Sequence, residues 1–147
     1  MAQLTVMRSI WIQASRERVW DAVTDAKQLS RWYAPGSPWE IQALEVGALV
    51  LFHHSPNRYH TGTEVVTLRA TIETVEPFHR FAVRWEPGAS GVAMVTTFIL
   101  TEENDGTRVK ITESGYETQQ QVEQTEEGYA LSLENLKAHI EGRELPY

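Results

Sequence analysis

Residues 101 to 142 read TEENDGTRVKITESGYETQQQVEQTEEGYALSLENLKAHIEG: a tight turn, an alternating stretch and a helix-periodic stretch in direct succession. Asn104, Asp105 and Gly106 tolerate the positive φ angles that a short hairpin turn requires. Beyond the turn, Val109, Ile111 and Glu113 share one face of a strand over 107–116. The period then changes. Val122, Tyr129, Leu133, Leu136 and Ile140 recur at intervals of three, four or seven with Glu, Gln and Lys between them, which predicts one amphipathic helix over 118–141. Thr118 and Gln121 fit a capping box, and Gly142 stands where a glycine closes the last turn. Gly128, about 1 kcal/mol worse than alanine in a helix, predicts a bend.

A helix with one apolar face needs a sheet to cover it, and the upstream sequence supplies strands. Segments 39–44, 48–54, 63–75, 79–86 and 92–103 are strand-like, separated by Gly, Pro and Asn. No helical stretch lies between them for a parallel crossover, so the sheet is expected to be mainly antiparallel. Residues 4–13, LTVMRSIWIQ, read as a first strand. Ser15 follows as a helix N-cap, with Glu17 in the first turn and Val19, Trp20 and Val23 on one face, ending near Asp25. A second short helix, AKQLSRWY, carries Leu29, Trp32 and Tyr33 before Pro35, Gly36 and Pro38 break it. The expected fold class is α+β, one domain over 1–147.

Composition narrows the function classes. With 41% apolar and 22% charged residues the chain is globular rather than disordered. A net charge of -7 repels a phosphate backbone and an anionic lipid surface, so nucleic acid is not an expected partner. The absence of cysteine excludes disulfides and thiolate chemistry. No window approaches a membrane span and no signal-peptide pattern opens the sequence, so a cytoplasmic location without membrane insertion is expected.

Four blocks in order, SRERVWDAVTDAKQLSRWY, TIETVEPFHRFAVRW, TTFILTEENDGTRVKITESGY and EEGYALSLENLKAHIEG, resemble the family related to the activator of Hsp90 ATPase, within the START and Bet v 1 superfamily. The resemblance implies a helix-grip fold, with a seven-stranded antiparallel sheet wrapped around the long C-terminal helix. It also implies a cavity between them that in relatives holds apolar small molecules.

Candidate ligand-binding residues follow from the strand faces and the aromatic cluster. Trp20 reads as a helix-to-sheet anchor. Trp32, Tyr33 and Trp39 flank the APGSP break, where a pocket mouth and plain core packing both fit. Phe52 belongs to the strand 48–54. Phe81 and Trp85 share a face of their strand with Val83, and Met94 and Phe98 share a face of the next with Thr96 and Leu100. Glu113 ends an apolar row, where a carboxylate is expected to reach water, to form an ion pair, or to serve a pocket by binding or proton transfer. Tyr116 and Tyr129 can present hydroxyls to the same space.

The histidines His53, His54 and His60 do not suggest a metal site, because adjacent strand residues point to opposite faces and no carboxylate joins them at ligand spacing. No cofactor is expected. Arg69, Glu73, Arg80 and Arg84 read as a solvated outer face with cross-strand ion pairs. Three functions remain in play. The first is a module binding a small hydrophobic or aromatic molecule. The second is a cyclase-, aromatase- or hydrolase-like enzyme using Glu113 and a tyrosine. The third is a protein-interaction domain acting on an Hsp90 homologue. A homodimer is a further partner state the sequence leaves open.

Overall fold

The computed structural model describes residues 4–33, 37–54, 66–86, 94–116 and 118–146. Pro35 and Gly36 of the expected break, the strand starts at 63–65 and 92–93, and His60 lie outside the described residues, as does the side chain of His54.

The chain runs β1 (Leu4–Ile12), α1 (Arg16–Thr24), α2 (Ala26–Trp32), β2 (Trp39–Ile41), β3 (Leu49–His54), β4 (Val66–Glu76), β5 (Arg80–Trp85), β6 (Val95–Glu103), β7 (Gly106–Tyr116) and α3 (Gln119–Glu141). All seven strands join one antiparallel sheet in the order β1-β7-β6-β5-β4-β3-β2. This is the expected helix-grip arrangement. Strand β2 is shorter than predicted, its pairing with β3 ending at Ile41 opposite Val50. Among the described residues no helix is long and apolar enough to cross a membrane.

Local chemistry accounts for the connections. Asn104 and Asp105 take φ values of 49° and 62°, and Glu103 pairs with Gly106, so β6 and β7 close through a two-residue primed turn whose twist matches the strands. Ser15 accepts from the Arg18 N–H and starts α1, and Asp25 both ends α1 and caps α2 through the Lys27 N–H. The reciprocal Thr118–Gln121 capping box opens α3. Gly142, at φ 76°, ends α3 in the left-handed conformation, its N–H bonded to the Ala138 and His139 carbonyls. Helix α3 is one continuous element through Gly128.

The helices pack on one face of the sheet, α3 mainly along β1. Val122, Tyr129, Leu133 and Leu136 of α3 are buried with Val6, Ile12, Phe81, Phe98, Val109 and Ile111 of the sheet. Trp20 anchors α1, edge-on to Phe81 and Phe78 at 6.3 Å between ring centroids. The opposite face is polar, as its alternation predicts. There Arg84 pairs with Glu73 at 3.2 Å and Arg69 with Glu86 at 3.4 Å, exposed contacts worth about 0–1 kcal/mol each.

Candidate functional site

Glu113 is the outlier of the inner face. Its neighbours in the β7 row, Val109 and Ile111, are apolar and buried, and Glu113 itself is 7% exposed. The expectation that it reaches water or an ion pair is corrected. Three hydroxyls converge on its carboxylate instead: Thr96 Oγ1 and Tyr129 OH donate to Oε2, and Tyr116 OH donates to Oε1. A buried carboxylate is tolerated when its oxygens are met by donors, and charge-assisted hydrogen bonds of this kind are the stronger ones.

Each donor is delivered by a different element. Thr96 stands directly opposite Glu113 across the β6–β7 ladder. Tyr129 comes down from the buried face of α3. Tyr116 requires a special device, because three residues along a regular strand its side chain would point away from Glu113. The β1–β7 register shifts between Leu4, opposite Tyr116, and Thr5, opposite Ser114, leaving Gly115 as the extra residue. Gly115 sits at φ 107°, a conformation open to glycine. The bulge reverses the alternation and returns Tyr116 to the face of Glu113.

The network extends outward on both sides. Tyr33, at the C-terminal cap of α2, donates to Tyr129 OH at 3.1 Å. Trp85 Nε1 donates to Thr96 Oγ1 at 2.9 Å. Burial first, and the nearby Glu113 charge second, push the Tyr33, Tyr116 and Tyr129 hydroxyls well above the ordinary tyrosine value. All three therefore hold their protons at neutral pH and act as donors.

Beside this polar cluster lies an aromatic one. Tyr33 meets Trp39 edge-on at 5.1 Å and Phe52 at 5.6 Å, Trp39 and Phe52 lie 4.9 Å apart, and Trp85 adjoins Trp39 at 5.8 Å. Of the predicted site residues, Tyr33, Trp39, Phe52 and Trp85 thus gather with Glu113, Tyr116 and Tyr129. Trp32 is completely buried, donates Nε1–H to the Ala22 carbonyl at 2.8 Å, and packs on Phe98 as core. Phe81 and Phe98 stack on each other at 6.4 Å, with Trp20 against Phe81. Met94 is half-buried just before β6, and its carbonyl receives the Trp85 N–H.

Sequence reasoning missed the part of Thr96, although its place on the predicted inner row of β6 was the available signal. It also found no carboxylate for the histidines, yet Glu40 of β2 meets His53 Nε2 across the β2–β3 pair. Among the described residues no group of three or more His, Cys, Asp or Glu side chains is arranged to hold a metal ion.

Solved structures share this architecture. A protein of Mesorhizobium loti, MLL2253, superposes with a TM-score of 0.77 at 20% identity, over 97% of this chain and 100% of its own. The Aha1 dimer from Colwellia psychrerythraea gives 0.69 at 20% identity, covering 94% and 96%. CalU16 from Micromonospora echinospora gives 0.66 at 19% identity, covering 94% and 84%. At these identities the likeness shows the fold. No curated protein sequence matches the chain. The profile of the family described as activator of Hsp90 ATPase homolog 1-like protein matches residues 13–141, nearly the full length of the described fold, and the chain belongs to that family.

Proposed function

We propose that the chain binds a small apolar or aromatic molecule between the sheet and the helices α2 and α3, with the Glu113 cluster as the polar end of the site. The observation that carries this reading is the buried Glu113 carboxylate, held by three hydroxyls of which Thr96 and Tyr129 link it to the aromatic group through Trp85 and Tyr33. A carboxylate in an apolar row is a poor stabiliser compared with a hydrophobic residue of similar size, so its presence favours a role in recognition or chemistry. Aromatic walls with a few convergent polar groups are the usual composition of a small-molecule site. A cytoplasmic location is part of this reading.

A second reading, catalysis, is favoured by one specific observation. Tyr129 and Glu113 form a hydrogen-bonded proton donor and acceptor, the minimum set for acid–base chemistry on a bound ring. A homodimer is supported only by the Colwellia relative, solved as a dimer. An Hsp90 homologue as partner is supported only by the family's description.

The test is a titration with Nile red, a neutral apolar fluorophore, followed by thermal melts. Saturable enhancement and a stabilisation of about 2.7 kcal/mol at a hundred times Kd are expected. Unsaturable enhancement with an unchanged melting temperature would remove the binding reading. If a substrate is found and Glu113→Gln turns it over as fast as the parent, the catalytic reading falls.

A further inference from the structure

Counting protons in the network isolates one donor. The Trp85 indole N–H can only donate, so Thr96 Oγ1 is its acceptor and the Thr96 proton goes to Glu113. Tyr129 likewise gives its proton to Glu113 and accepts from Tyr33, and Tyr116 gives its proton to the other carboxylate oxygen. Every one of these donors is committed within the protein.

Trp39 differs. It is 6% exposed, and its Nε1–H has no hydrogen-bond partner among the described residues. The position is not loosely held, since the Trp39 backbone N–H donates to Ser30 Oγ at 2.9 Å and the residue pairs with Phe52 across the β2–β3 ladder. Its ring neighbours are Tyr33, Phe52 and Trp85. A water molecule held there would need two to four polar partners, whereas the ring contacts of Trp39 are aromatic. An acceptor atom carried on an apolar body suits both the rings and the N–H.

Charge restricts that body further. The Trp85 ring touches Trp39 while its own N–H leads through Thr96 to Glu113, so one chain of contacts links the Trp39 ring to the buried carboxylate. A ligand carboxylate desolvated against these rings would add a second buried anion to the surroundings of Glu113. A neutral acceptor escapes that repulsion.

We propose that the Trp39 indole N–H is the anchoring donor for a neutral, ring-containing ligand bearing a carbonyl or ether oxygen, and that the site selects against carboxylate ligands such as fatty acids. This inference rests on the ligand-binding reading above and specifies the ligand class for that site.

The probes are fluorenone, fluorene and fluorene carboxylate, of similar shape and differing in a neutral acceptor, no acceptor and an anionic group. Binding is measured by calorimetry at neutral pH to the parent protein and to Trp39→Phe, which keeps a ring and removes the donor. The parent is expected to bind fluorenone about tenfold more tightly than fluorene, the effect of one net hydrogen bond. Fluorene carboxylate should bind more weakly than fluorene. In Trp39→Phe the fluorenone preference should fall to about one while fluorene binding is retained. Should the variant not fold, the parent's Trp39 indole N–H proton resonance replaces it, expected to move downfield with fluorenone and not with fluorene. Equal binding of fluorenone and fluorene to the parent, or a preference that survives Trp39→Phe, overturns the inference and leaves the binding reading intact. Absence of saturable binding for all three probes overturns both.

Discussion

Replacing Tyr129 with phenylalanine tests whether the hydroxyl network is as tightly coupled as its geometry indicates. The change deletes one oxygen, but that oxygen has two jobs: it donates to the buried Glu113 carboxylate and accepts from Tyr33. Losing a hydrogen bond to a charged group costs about 1.5–3 kcal/mol, and stranding the part-buried Tyr33 hydroxyl adds about 1 kcal/mol. The sum, about 3 kcal/mol, corresponds to a fall in Tm of roughly 6–12 °C for a chain of this size. Tyr33→Phe removes only the outermost donor and leaves Tyr129 bonded to Glu113, so about 0.5–1 kcal/mol is expected. In the double variant no Tyr33 hydroxyl remains to be stranded, so the combined loss should be about 1 kcal/mol smaller than the sum of the single losses. Urea unfolding of the four proteins measures all three quantities. Equal losses for the two single variants, or strict additivity, would refute the idea that Tyr129 bridges Tyr33 to the carboxylate.

The raised tyrosines predict alkaline sensitivity. The folded state keeps protons on Tyr33, Tyr116 and Tyr129 that the unfolded state releases above about pH 10, so their contribution is fully present below that pH and is lost as pH rises toward the folded values. Phenolate absorbance from these three should therefore emerge only together with loss of tertiary circular dichroism; a separate earlier ionisation of all three in intact protein would contradict the burial argument. The bulge predicts a local effect. Gly115→Ala at φ 107° should destabilise the fold by about 1–3 kcal/mol and, if the bulge relaxes, shift the Tyr116 titration toward an ordinary tyrosine. A variant as stable as the parent, with an unchanged titration, would show that the bulge does not depend on glycine.

How much of this was legible in advance depends on how far apart the cooperating residues lie. The strands, both short helices, the capping box of Thr118 and Gln121 and the Gly142 cap were readable from the sequence because turns, caps and periodicities are set by atoms a few residues apart. The inner face was readable for the same reason: the period-two rows of β5, β6 and β7 name Phe81, Phe98 and Ile111 without knowledge of their neighbours.

The site was only half legible. Glu113 stood out by breaking an apolar row, but the choice between water, an ion pair and hydroxyls depended on register and on α3. The ladder sets Thr96 opposite it, the Gly115 bulge turns Tyr116 inward against the alternation, and α3 brings Tyr129 from sixteen residues along the chain. The unpartnered Trp39 donor was equally invisible, since an indole's hydrogen-bonding state is a property of everything packed around it. Sequence determines which side chains face inward, because that is a local consequence of backbone geometry; which of them meet is decided by tertiary packing, because hydrogen bonds across strands and helices depend on distances that local periodicity does not encode.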